Sequence, residues 1–111
     1  MAITAFTQDP RKLLTAIKKA IDDSNVETWA YDKDGDFFHT PDQWKGKAWF
    51  RPFLQQGSLV FGLIAQKEVA MSKLVYGVYH GRFIEMLLVH FDQDFNNVSA
   101  TAVGNSIDIF K

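Results

Sequence analysis

A chain of 111 residues is the size of one ordinary domain, and the expectation is a single domain over residues 1–111. Twelve basic residues against thirteen acidic ones give a formal net charge of -1, which excludes a global attraction to nucleic acid or anionic membrane. With no cysteine, disulfides, thiolate metal sites and cysteine nucleophiles are excluded as well, and a reducing compartment is favoured.

The opening residues, Met1 to Phe6, lack the basic region and long apolar core of a signal peptide. Asp9-Pro10 then opens a helix, because Asp caps and Pro suits the first helical position. Leu13, Ile17, Ala20 and Ile21 recur on one face of it, and Asp22 to Asn25 end it. Val26 to Tyr31 reads as a strand, Asp32 to Asp36 as a hairpin turn, and Phe37 to Thr40 as the returning strand. A third strand covers Ala48 to Phe53, bent or placed at a sheet edge by Pro52. Leu59 to Ala65 is nearly all apolar, as a central strand is, and is too short to span a bilayer. A long apolar helix follows from about Ser72, its cap, to about Phe91, with Asn96-Asn97 as a left-handed stop. It is interrupted by His80, Arg82, Glu85 and His90, so no membrane span is expected and the cytoplasm is the default location. Val98 to Val103 is the last predicted strand, with a turn at Gly104-Asn105-Ser106.

The order α-β-β-β-β-α-β predicts an α+β fold in two layers, a mostly antiparallel sheet with helices packed on one face. This order is similar to that of small α+β modules used as adaptors, secretion chaperones and immunity proteins, a likeness of architecture rather than of function.

Chemistry is sparsely signalled. Asp32, Asp34 and Asp36 alternate as the first ligands of a calcium loop do, but the required Gly and Glu are replaced by Phe37 and Gln43. No metal or cofactor site is expected. His80 and His90 have the wrong spacing for a two-histidine zinc face, and Glu27, Glu68 and Glu85 come from separate elements. No catalytic residue is therefore assigned.

Three surfaces remain, and the long helix carries the strongest. A helix laid on one sheet has one apolar face, yet this one is apolar over more than half its circumference. Tyr76, His80, Phe83, Ile84, Leu87 and Phe91 form the stripe expected to meet the sheet. Val75, Tyr79, Arg82, Met86 and His90 form a second, expected as a protein-interaction surface because Tyr, Met and Arg are enriched in interface cores. Gly77 and Gly81 lie four apart and are read as allowing close approach of another backbone, the sheet by preference or a second protein or symmetry mate as the alternative. The leading expectation is a non-catalytic protein-interaction module that binds a protein partner or self-associates as a homodimer. The alternative is a small-molecule or enzyme domain whose pocket is lined by Tyr76, His80, Trp29, Trp49 and His39. The third is a single-stranded nucleic-acid patch at Lys45, Lys47, Trp49 and Arg51, where basic and aromatic residues interleave and core packing is the simpler reading.

Overall fold

A computed structural model describes residues 2–102. Its elements are β1 (Ala2–Phe6), α1 (Pro10–Asp22), β2 (Trp29–Tyr31), β3 (Phe37–His39), β4 (Ala48–Gln55), β5 (Ser58–Ala65), α2 (Lys73–Phe91) and β6 (Asn97–Ala100). The strands form one antiparallel sheet in the order β2-β3-β4-β5-β1-β6. The predicted two-layer α+β architecture is what the chain adopts.

The helices begin where their caps place them. Asp9 accepts the Lys12 amide at 3.0 Å, and Ser72 accepts that of Val75 at 3.0 Å. Both pack on the sheet face that carries Phe37, Phe50, Phe61 and Leu63, and Leu13 and Ile17 of α1 are fully buried there. Lys18 of α1 also lies over the Tyr31 ring at 5.4 Å, and the Tyr31 hydroxyl donates to Asp22 at 2.7 Å, which ties α1 to β2. Strand alternation turns Trp49, Arg51, Phe53 and Val60 to the opposite face.

Several boundaries differ from the reading of the sequence. The first strand, Ala2–Phe6, has no counterpart in that reading; it pairs Ile3 with Phe61 on one side and with Ala100 on the other. Two alanines in five residues weaken its intrinsic strand signal, and the pairing with β5 is long-range, so only the fold reveals it. The strand expected from Val26 begins at Trp29; Val26 is nevertheless buried. The last strand starts at Asn97, and α2 stops at Phe91 rather than at a left-handed Asn96-Asn97. The expected turn at Gly104-Asn105-Ser106 lies outside the described residues. β4 is internal in the sheet, yet Pro52 is accommodated as on an edge: β3 pairs with β4 at Phe50 and ends in a turn before it reaches Pro52.

Candidate interaction surface on the second helix

The expected interaction stripe divides between core and surface. Tyr79 is 0% exposed and Met86 5%, so both belong to the core, whereas Arg82 and His90 are exposed and Val75 half-buried. The stripe is therefore not assembled as one open face. Tyr79 faces inward because its ring fits among Trp29, Phe50 and His39, with centroids 5.5, 6.1 and 6.1 Å away. Its hydroxyl donates to the Trp44 carbonyl at 2.7 Å and accepts the His39 amide at 3.4 Å. Burial raises the Tyr79 pKa above its ordinary value, which keeps the phenol protonated as a donor.

The residues of the aromatic pocket reading are mostly neighbours, but they pack on each other. Trp29 stacks on His39 at 4.6 Å, Tyr76 stacks on His80 at 4.4 Å, and Phe50 stands edge-on to His80 at 5.1 Å. Centroids this close leave contacting rings rather than a ligand-sized gap. Trp49 is not among them, because its register opposite Ile64 turns it to the other sheet face. The Nδ1–H of His80 donates to the Tyr76 carbonyl at 2.7 Å, and that of His39 to the Thr28 carbonyl at 2.8 Å. Burial holds the His39 pKa below its ordinary value, outweighing the Thr28 bond that raises it.

The basic and acidic patches answer one another. Arg51 donates from Nε to Asp36 Oδ1 at 3.0 Å and from Nη2 to Oδ2 at 2.8 Å. Its guanidinium is thus engaged by a buried carboxylate, which also holds the arginine pKa above its ordinary value. Asp32 spends its carboxylate on the amides of Asp34 and Asp36, at 2.9 and 3.0 Å, closing the turn around Gly35 with its φ of +83°. Asp32, Asp34 and Asp36 lie within 4.8 Å of one another, but as a turn whose carboxylates already have protein partners at two of three positions. Lys45 and Lys47 are exposed in the loop before β4, and Lys47 lines a separate hollow of about 190 Å³ with Met71 and Val75. Of the expected basic patch, Arg51 is thus paired with Asp36, while Lys45 and Lys47 remain exposed.

What α2 does present outward is a different stripe. Leu74 and Val89 are each 67% exposed and Leu88 50%, beside Gly77 and Gly81, which are exposed too. A Cβ added to either glycine meets nothing within 4 Å, so close approach of the sheet is not their role. Two hollows flank the exposed Arg82–Glu85 pair, whose nearest atoms are 3.3 Å apart. One, of about 250 Å³, is lined by Gly77, Val78, Gly81, Arg82 and Glu85. The other, of about 430 Å³, lies between α2 and the loop before β2, where Arg82, Glu85, Met86, Val89 and His90 face Val26, Glu27 and Thr28. Three residues of the expected stripe (Arg82, Met86 and His90) thus line this second hollow. No helix of the described residues is long and apolar enough to cross a membrane. Comparison with protein families, curated proteins and solved structures gives no match.

Proposed function

We propose that this protein is a non-catalytic interaction module that holds a protein partner on the outer face of α2. The observation that carries the reading is the exposure of Leu74, Leu88 and Val89 beside two glycines where, among the described residues, no neighbouring element comes within 4 Å of an added Cβ. Glycine inside a helix costs about 1 kcal/mol relative to alanine, and large exposed aliphatics gain nothing from water. A partner seated on this face accounts for both. The absence of cysteine suits a reducing compartment such as the cytoplasm, where such a complex would form.

Native mass spectrometry of the chain taken from the cells that make it tests the reading. The wild type, and a Thr15→Asp control on exposed α1, are expected in a protein complex; Val89→Asp is expected to appear alone. An identical mass for all three, whether bound or free, would contradict it.

A further inference from the structure

We infer that the partner on this face is a second copy of the same chain, with the two α2 helices antiparallel about a point between Phe83 and Ile84; this rests on the interaction reading above. Val78, Arg82, Glu85 and Val89 follow one another at spacings of four, three and four. At about 100° per residue they fall within about 60° of one another, on one side of the helix. The series reads the same from either end, apolar-charged-charged-apolar, with the two charges opposite in sign.

A two-fold axis between Phe83 and Ile84 makes this pattern self-complementary. It sets Val78 of one copy against Val89 of the other, twice, and Arg82 against Glu85, twice. The Arg82 and Glu85 side chains are each 58% exposed and already adjacent, so pairing closes them into a ring of four alternating charges. The hollows on either side of this ridge leave room for a facing helix, since Gly81 keeps one flank low. The chain's net charge of -1 leaves little overall repulsion between copies. A foreign partner has to supply this charge order by its own sequence, whereas a second copy supplies it by symmetry.

Sedimentation equilibrium from about 10 μM to about 1 mM chain, at low and high salt, tests the register. Wild type is expected to dimerise. Arg82→Glu and Glu85→Arg are each expected to raise the dissociation constant about tenfold or more, by setting like charges together. The double exchange Arg82→Glu/Glu85→Arg is expected to return it to within about threefold of wild type. Val78→Cys/Val89→Cys supplies the register independently: these positions are about 16 Å apart along one helix, so oxidation joins two chains rather than closing within one. A wild type that stays monomeric to the top concentration, or a double exchange no better than the single changes, overturns the inference. If the wild type is monomeric while its native complex still dissolves in Val89→Asp, self-pairing fails and the interaction reading stands.

Discussion

The Tyr79 hydroxyl serves two backbone groups, the Trp44 carbonyl and the His39 amide, from a fully buried position. Tyr79→Phe keeps the ring and removes that link, so we expect a loss of about 1–3 kcal/mol in urea unfolding. Tyr79→Asp should prevent folding altogether rather than merely release a partner. Arg51 is the counter-ion of a buried carboxylate, but it is itself partly exposed at 43%, and Arg51→Met should cost only about 1–2 kcal/mol. His39 gives the protein an acid sensitivity of known sign. Its folded pKa is lowered by burial, so below about pH 6.5 the unfolded chain takes up a proton that the folded chain resists. That contribution to stability is complete above the unfolded value and is lost as the pH falls through the window beneath it. The urea midpoint should therefore drop less between about pH 7.5 and about pH 5.5 in His39→Asn than in the wild type.

At the scale of elements, α2 shows where sequence reading stops. Its ends were legible, because Ser72 is a capping residue and the apolar run ends near Phe91. Its faces were only half legible. The stripe of His80, Phe83 and Leu87 does meet the sheet, as periodicity predicts. The second stripe was misassigned by about one position around the helix, because a helix apolar over more than half its circumference gives little phase by which to choose its outer side. Tyr79 and Met86 went inward because aromatic partners on β2 and β4 and the loop before β2 enclose them, and those arrive from distant parts of the chain. Gly77 and Gly81 were legible as a place for close approach of another backbone, but the sheet was preferred there over a partner, and the sheet does not approach them. Since no neighbouring element of the described residues lies near a Cβ at either position, Gly77→Ala and Gly81→Ala should each stabilise the monomer by about 1 kcal/mol, as seen in thermal or urea unfolding at low concentration. A loss of stability from either change would mean that a neighbour does approach this side of the helix.

Seen as a whole, the molecule divides its labour between the inside and the outside of one helical layer. The inner face and both helices make the core, into which Trp29, His39 and His80 of the pocket reading are absorbed. At one end of the sheet Arg51 pairs with Asp36, while Asp32 closes the hairpin turn through backbone amides. The outer face of α2 remains, with apolar side chains, mobile-length charges of both signs and flanking hollows. The central claim is that this face, and no other part of the helical layer, meets a protein. It is tested most directly by placing a photo-crosslinking amino acid at Val89, and separately at Thr15 on α1, in the cells that make the protein. The account predicts a discrete protein adduct from Val89 and none from Thr15; no adduct from Val89, or the same adducts from both positions, would contradict it.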